Sequence, residues 1–397
     1  MIRWPAFVVA LALVVSGCTQ KLTTPADCPA LCPGGQSAFR DTIIDAVIGA
    51  DASYSGYSGL LDATSLLLSN GGGYGESRAA VKFLRVGDSI LVRDTMRSYT
   101  IDSVQILLAL QARDTTVNDV VLELYRLPRT IDSLADFATV DAAMTPANLL
   151  GEIAVPNGVK SGGQRLTLTG ADLARIAFAP IDSTELVLGV RLRAPAPAGV
   201  RVTSLLGGTE SPLFSTYVTV NIADTAVRKQ LINRNPSQNV TVRSPPAPLG
   251  PGILQVGGLP AARSFVRFTL PSYIKDSAQI VRATLELTLA QPLFGIPGDS
   301  AFFDVRQVLA DFGPKSPVAS NVIGSATIKP GASTIDVEMV SVVATWQGAT
   351  PLPSIIRFGI GQEGSTFLTP LVFSTAATSG RPRLHLTYRL PFAFEGF

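Results

Sequence analysis

The sequence Arg263-Ser264-Phe265-Val266-Arg267-Phe268 has a counterpart earlier in the chain, Arg78-Ala79-Ala80-Val81-Lys82-Phe83. Both copies hold an arginine, a valine, a second basic residue and a phenylalanine in the same places. Apolar residues alternate with basic or small ones in each copy, which is the period of a β-strand with one buried face. The repetition predicts a tandem duplication of one β-structure.

Composition favours the same class of fold. The chain has 397 residues, of which 46% are apolar and 16% charged, and its 35 glycines and 28 prolines supply many turns. This length suits two domains, and short strands joined by turn residues are typical of sandwiches. We therefore expect an all-β protein with two tandem jelly-roll-like antiparallel β-sandwiches. The formal net charge of +2, with scattered basic residues, argues against nucleic acid as a partner.

The two copies keep a nearly constant register. Asp224 answers Asp41, and Arg263 answers Arg78. Sequence order thus predicts a first sandwich over residues 39–222, a second over 223–392 and a C-terminal tail over 393–397. In the clearest strand of the second copy, apolar residues alternate with polar ones. The apolar residues are Val281, Ala283, Leu285, Leu287 and Leu289. Because no free linker separates the copies, we expect the sandwiches to touch.

The N-terminus has the features of a secretory signal peptide over residues 1–17. Arg3 precedes an apolar run too short to span a bilayer, and small residues follow. The end of the run, Val15-Ser16-Gly17-Cys18, resembles the bacterial lipoprotein box. That resemblance implies cleavage between Gly17 and Cys18, and acylation of the Cys18 thiol as a stable lipid anchor. An ordinary cleaved signal followed by a free thiol is the alternative.

Thr19 follows the cysteine, where an aspartate would resemble an inner-membrane retention signal, so the outer membrane is the expected address. Residues 18–38 are polar and rich in proline and glycine, as in a flexible tether. Cys28 and Cys32 lie within it. A zinc site needs more ligands and the single histidine, His385, is distant in sequence, so a local disulfide is the better interpretation.

Three tyrosines are candidates for ligand binding. Tyr54, Tyr57 and Tyr74 lie in stretches rich in serine and glycine, where an exposed ring can stack on a sugar face. Ordinary loop packing is the competing explanation. No cofactor is expected. Asp41 and Asp224 are candidate oxygen ligands for a structural Ca²⁺, although no spaced Asp/Asn loop supports such a site.

Two further residues receive structural interpretations. Trp346 follows an apolar run that predicts a helical turn capping the sandwich, so we expect a core anchor rather than a sugar platform. His385 alternates outward with Arg383 and Thr387, which predicts a solvated strand position. With one histidine and no Gly-x-Ser-x-Gly motif, a serine triad is not expected. A pair of glycosidase carboxylates stays open.

The second copy resembles a DNRLRE domain over most of its length. The residues that carry the resemblance are Ile253-Leu254-Gln255-Val256-Gly257, the Arg263 to Phe268 strand, the Val342 to Gly348 segment with Trp346, Ile356-Arg357-Phe358, and Arg381-Pro382-Arg383-Leu384. The resemblance implies a jelly-roll-like sandwich of secreted or surface-attached proteins, some of which bind acidic polysaccharides such as alginate. The first copy matches more loosely, with Leu173 in the place of Trp346.

These features predict a lipid-anchored, non-catalytic envelope protein that faces the cell surface or the periplasm. Its expected role is carbohydrate binding, to surface or environmental polysaccharide. A structural or assembly lipoprotein that contacts another protein is the alternative, and a polysaccharide-degrading enzyme is a third.

Overall fold

The computed structural model describes residues 39–49, 52–57, 64–84, 87–176, 185–206, 210–245, 253–347, 352–361, 369–375 and 380–390. These residues form an all-β protein in which every strand ladder is antiparallel. The expected fold class is confirmed.

The strands fall into two runs along the chain. The first run is β1 (Arg40–Asp45), β2 (Ser53–Tyr57), β3 (Ser65–Asn70), β4 (Glu76–Leu84), β5 (Ser89–Val92), β6 (Thr95–Arg113), β7 (Val121–Leu127), β8 (Leu149–Ala154), β9 (Gly162–Thr169), β10 (Glu185–Arg193), β11 (Gly199–Thr203) and β12 (Leu213–Val220). The second run is β13 (Lys229–Arg234), β14 (Pro236–Arg243), β15 (Ile253–Val256), β16 (Ala261–Arg267), β17 (Gln279–Thr288), β18 (Ala301–Gln307), β19 (Gly324–Ile328), β20 (Thr334–Glu338), β21 (Ile355–Ile360), β22 (Leu371–Ser374) and β23 (Arg383–Arg389).

In the part of the chain that the structure describes, three short α-helices join strands: α1 (Phe137–Ala143), α2 (Ser272–Asp276) and α3 (Val340–Trp346). Helix α1 begins where the Asp136 carboxylate accepts a hydrogen bond from the Thr139 amide, so an N-cap fixes its start. It lies on the outer face of the first sandwich, where Val140 is buried. Helix α3 lies between β20 and β21 and places Trp346 in the core of the second sandwich.

The two sandwiches have the same strand order. In the first, layers β13-β12-β6-β9 and β14-β4-β10-β7-β8 are joined through β11 and β3 into one curled sheet. In the second, layers β1-β23-β17-β20 and β2-β16-β21-β18-β19 face each other, with β15 and β22 paired at the corner. The duplicated hexapeptides begin in β4 and β16, which hold equivalent places. The strand order thus repeats strand for strand, as the sequence repeat predicts.

The strand pairing does not follow the expected division at residues 222 and 223. Strand β1 pairs with β23 and β2 pairs with β16, so residues 40–57 complete the second sandwich. Strands β13 and β14 pair with β12 and β4, so residues 229–243 complete the first. Each sandwich therefore takes two of its edge strands from the opposite copy. Equivalent edge strands fit either acceptor, and a sequence repeat cannot specify which one they join.

Each sandwich has its own apolar core. In the first, the repeated residues Ala79, Val81 and Phe83 are buried between the two layers. In the second, Val266 and Phe268 occupy the same positions. Both copies bury the same face of the same strand in the core, as predicted. The opposite face is covered as well rather than left to solvent, since Ala80 and Phe265 are each 4% exposed.

One position in the long strand β17 departs from the expected alternation. Ala283, Leu285 and Leu287 are buried as predicted, whereas Val281 is 49% exposed. The register against β23 shifts between Ile280 and Arg282, which marks a β-bulge. A bulge inserts one residue and reverses the facing of the side chains before it. Val281 therefore lies on the solvent side.

The two sandwiches touch, as expected. The Tyr74 hydroxyl in the β3–β4 turn donates a hydrogen bond to the Gly295 carbonyl of the second sandwich, at 3.0 Å. Arg201 Nη1 on β11 contacts Asp299 Oδ2 at 3.0 Å, and both side chains are largely buried. Burial raises the pKa of Asp299, and the Arg201 charge opposes that shift. A largely buried ion pair and a hydrogen bond thus connect the two units.

Candidate functional site

The predicted tyrosine platform is divided between the two sandwiches. Tyr54 lies in β2 rather than in a loop, and its ring packs edge-on against Phe265 with the centroids 5.8 Å apart. Tyr57 ends the same strand, where its backbone pairs with Ala261. The side chain of Tyr57 lies outside the described part of the structure. For Tyr54, ordinary packing accounts for the ring.

Tyr74 belongs to the first sandwich and serves the junction. Its hydroxyl oxygen lies within hydrogen-bond distance of two acceptors, Asp114 Oδ2 at 3.1 Å and the Gly295 carbonyl at 3.0 Å, which share its one hydrogen. Burial, reinforced by the nearby Asp114 carboxylate, raises the pKa of the Tyr74 phenol well above its ordinary value. A tyrosine held by two acceptors between domains is a structural residue, and its ring is not available as an open stacking surface.

The predictions about the N-terminus fall on residues that the structure does not describe. Gly17, Cys18, Cys28 and Cys32 all precede residue 39, where the described chain begins. Their cleavage, acylation and disulfide bonding stay predictions. In the part of the chain that the structure describes, no helix is long and apolar enough to cross a membrane.

The two candidate calcium ligands have different hydrogen-bond partners in different parts of the structure. Asp41 on β1 accepts a hydrogen bond from the Thr387 hydroxyl at 2.6 Å. Asp224 accepts from the Ala226 amide at the start of a 3₁₀ turn and pairs with Arg93. Among the described residues, no group of three or more His, Cys, Asp or Glu side chains is placed to hold a metal ion.

Trp346 is a core residue, as predicted. The side chain is 1% exposed, and its Nε1 donates to Gln307 Oε1 at 2.8 Å. Its ring stacks on Phe268 with the centroids 6.1 Å apart. A buried indole with its single donor satisfied is a structural anchor. The α3 helix that carries it closes one end of the second sandwich.

His385 leads to a different candidate site, on the outer face of the four-stranded layer β1-β23-β17-β20. Leu384 and Leu386 point into the core, while His385 between them points outward, as the sequence predicts. The outer face forms a groove of about 750 Å³. The groove is lined by Asp41, Thr42, Ile43, Arg282, Thr284, Glu286, Thr334, Asp336, His385, Leu386 and Thr387. We call this surface the polar groove.

Strand register arranges the polar groove in rows across the four strands. One row places Thr387 of β23 between Asp41 of β1 and Arg282 of β17. In the next row, His385 of β23 lies opposite Thr284 of β17. Side chains on neighbouring strands in register lie about 5 Å apart. The rows therefore present hydrogen-bond donors and acceptors about 5 Å apart across the strands.

The histidine of the groove has a carboxylate neighbour. His385 Nε2 lies 2.7 Å from Glu286 Oε2, and both side chains are about two-fifths exposed. Despite this short distance the contact is not a hydrogen bond, and the buried Nε2 atom has no hydrogen-bond partner in the described structure. The pair is an ion pair only when the imidazole is protonated.

The polar groove carries an excess of acidic side chains. Asp41, Glu286 and Asp336 face a single permanent cation, Arg282, along the lining. The remaining polar groups are threonines and the histidine, and the lining contains no phenylalanine, tyrosine or tryptophan. Like charges repel, so this surface disfavours polyanions. Neutral, hydroxyl-rich ligands match its donors and acceptors best.

Sequence reasoning found parts of this site without assembling them. The alternation around His385 and along β17 identified the outward residues of two strands. It missed Asp336 and the role of Asp41, because their strands reach the layer from distant parts of the chain. Asp41 and Thr387 are 346 residues apart and meet only through the pairing of β1 with β23.

In comparisons with known proteins, neither a protein-family model nor a curated protein matches this chain. The resemblance to DNRLRE domains and to bacterial lipoproteins therefore stays a prediction from the sequence. The functional argument depends on the geometry of the groove.

Proposed function

We propose that this chain is a lipid-anchored, non-catalytic binding protein of the bacterial cell envelope, and that its polar groove binds a hydroxyl-rich, uncharged polysaccharide. The observation that carries the proposal is the groove itself, a recess of about 750 Å³ lined by carboxylates, threonines, an arginine and a histidine across four strands. Strands hold such side chains at fixed spacing, so the site is preorganised.

The chemistry of the lining suits sugar hydroxyls. A carboxylate accepts from two vicinal hydroxyls, a guanidinium donates to two, and a threonine does both. Asp336, Arg282 and Thr284 supply one of each kind along the groove. The acidic excess argues for neutral chains over uronate polymers such as alginate, which refines the expectation from the DNRLRE resemblance.

The anchor and the groove are close in sequence. Strand β1 starts at Arg40, directly after the predicted tether of residues 18–38, and supplies Asp41 to the groove. A lipid on Cys18 would therefore hold the groove-bearing sandwich within a tether length of the outer membrane. That position suits a protein that retains surface or environmental polysaccharide.

The test uses the soluble chain from residue 19 onward, on an array of neutral and acidic glycans. Binding to a neutral polysaccharide is expected to weaken about tenfold or more in Asp336→Asn and in His385→Gln, since each removes one polar contact while preserving size. Asp172→Asn is the matched control, because Asp172 is an exposed carboxylate of the first sandwich that contacts Arg175 at 3.6 Å.

Three results would overturn the proposal. One is the absence of binding to any glycan by a folded wild-type chain. Another is equal loss of binding in the Asp172→Asn control. The third is release of reducing ends or unsaturated products from a bound polysaccharide, which would assign catalysis instead. Preference for alginate over neutral glycans would reject only the argument that the acidic lining favours neutral polysaccharides, and not the assignment of the groove as a glycan site.

A further inference from the structure

A second recess lies at the junction of the two sandwiches, away from the polar groove. It has a volume of about 260 Å³. The lining residues are Ala135, Asp136, Phe137, Ala138, Thr241, Val242, Arg243, Pro245, Leu259 and Pro260. Helix α1 and strand β14 of the first sandwich form most of the wall, and the β15–β16 turn of the second sandwich forms the rest. We call it the junction pocket.

Arg243 is the one basic side chain in this lining. Its Nε and Nη1 atoms are buried, and neither has a hydrogen-bond partner in the described structure. No carboxylate of the described chain forms an ion pair with it, and burial lowers the pKa of its guanidinium. The residue as a whole is only partly buried, but two of its three guanidinium nitrogens lack the hydrogen bonds that water would supply, which is costly.

The guanidinium is held in place by close packing. A Cβ atom at Gly75 would lie 2.9 Å from Arg243 Nη2 and 3.0 Å from Nε, so the guanidinium packs directly against Gly75 and would have to shift for a larger residue. Gly75 also has a φ of +71°, which favours glycine. Two features of one residue thus accommodate an arginine whose charge the chain itself does not neutralise.

A second polar group faces the same space. Thr241 Oγ1 accepts a hydrogen bond from the Leu67 amide at 3.2 Å. Its hydroxyl hydrogen has no acceptor in the described structure and is available to a ligand oxygen. The other walls, including Phe137, Val242 and Leu259, are apolar. Asp136 at the rim accepts a hydrogen bond from the Thr139 amide and caps α1, and its negative charge partly offsets that of Arg243 in the lining.

We infer that the junction pocket binds a small monocarboxylate with an apolar body, whose carboxylate pairs with Arg243 and accepts from Thr241. Arginine and a carboxylate form paired N–H···O bonds, which supply the missing counter-charge. The apolar body packs against Phe137, Val242 and Leu259. This site is independent of the groove, and because its walls come from both sandwiches, the ligand also stabilises their contact.

Hexanoate and phenylacetate are the probes, with hexanamide and phenylacetamide as neutral counterparts. Binding to the chain from residue 19 onward is measured by calorimetry and by ligand-observed NMR. We expect saturable binding of the acids, at least tenfold weaker binding of the amides, and a similar loss in Arg243→Gln. Arg243→Lys should retain part of the affinity, because it keeps the charge but loses the paired geometry.

Two further variants separate the pocket from general effects. Ala138→Phe fills the space without removing a polar group and should also abolish binding. Arg234→Gln changes an arginine on β13, outside the junction pocket, and should bind as the wild type does. Thermal unfolding confirms that each variant is folded, and the acids should raise the melting temperature of the wild type but not of Arg243→Gln.

The inference fails if a folded wild type binds neither acid up to about 10 mM, a concentration that detects even weak sites. It also fails if Arg243→Gln or Ala138→Phe binds the acids unchanged, or if acids and amides bind equally. If Asp336→Asn loses binding of the acids, the acids bind in the polar groove instead. If the two sites are separate, Arg243→Gln should leave glycan binding unchanged.

Discussion

Replacing Ile44 by alanine tests which sandwich the first strand completes. Ile44 of β1 is 8% exposed, pairs with Leu384 of β23 and packs into the core of the second sandwich. Removing a buried isoleucine side chain to Cβ costs about 2–5 kcal/mol, and we expect about 3 kcal/mol at this edge strand. With a urea dependence of about 2 kcal/mol per molar, the unfolding midpoint should fall by about 1.5 M.

The assay uses a natural reporter. The chain has two tryptophans, Trp4 in the predicted signal peptide and Trp346 in the second core, so a chain that starts at residue 19 has Trp346 alone. Its fluorescence reports the second sandwich. Ile43→Ala is the control on the same strand, because Ile43 is 56% exposed and should change the stability by less than about 0.5 kcal/mol.

A second comparison gives the result that would refute the exchange of edge strands. Ile232 on β13 packs against the core of the first sandwich. If Ile232→Ala lowers the Trp346 midpoint while Ile44→Ala leaves it unchanged, then the edge strands follow sequence order, and the reasoning from strand pairing is wrong. A shift for Ile44→Ala that Ile43→Ala lacks supports the pairing described above.

The remaining predictions concern other parts of the molecule. Burial alone would raise the pKa of Glu123, but hydrogen bonds from Tyr125, Arg193 and Arg191 outweigh it and the pKa is lowered. The stabilisation of the folded state by the Glu123 carboxylate is present above the ordinary pKa of about 4.5 and is lost as the pH falls through the pKa of the folded state. The free energy of unfolding should therefore fall less steeply with acid in Glu123→Gln than in the wild type. Gly73→Ala would place a Cβ 2.4 Å from the Phe294 ring across the junction, and chemical denaturation should show a loss of about 1–3 kcal/mol, against little change in Gly87→Ala. Cys18→Ser should abolish incorporation of a labelled fatty acid and release the protein from membranes, whereas labelling that persists would reject the lipoprotein prediction.

The second sandwich shows how far residue patterns lead. Leu285 and Leu287 could be assigned to a buried face because a strand alternates its side chains regardless of its partners. Val281 could not, because a bulge depends on the neighbouring strand and leaves no mark in the pattern itself. The tyrosines were misleading for the same reason, since glycine and serine around Tyr54 suggested a loop where pairing with β16 makes a strand.

The candidate sites show the same division. The outward position of His385 follows from its own strand, but the polar groove requires β1, which comes from the opposite end of the chain. Arg243 carries no signal in the sequence, because an arginine in a strand is usually solvated or paired. Only its position between α1, the turn at Gly75 and the second sandwich leaves its Nε and Nη1 atoms without hydrogen-bond partners.

Sequence alone determined that this protein is built from β-strands, that one sandwich design occurs twice, and which faces of the repeated strands are buried. These properties are local, since they depend on the side-chain period of a strand and on the repetition of a pattern. Tertiary structure decided which copy each edge strand completes, where the polar groove forms and that Arg243 is left unpaired. Pairing between equivalent strands is nearly degenerate in sequence, and only the packing of the whole chain selects one arrangement.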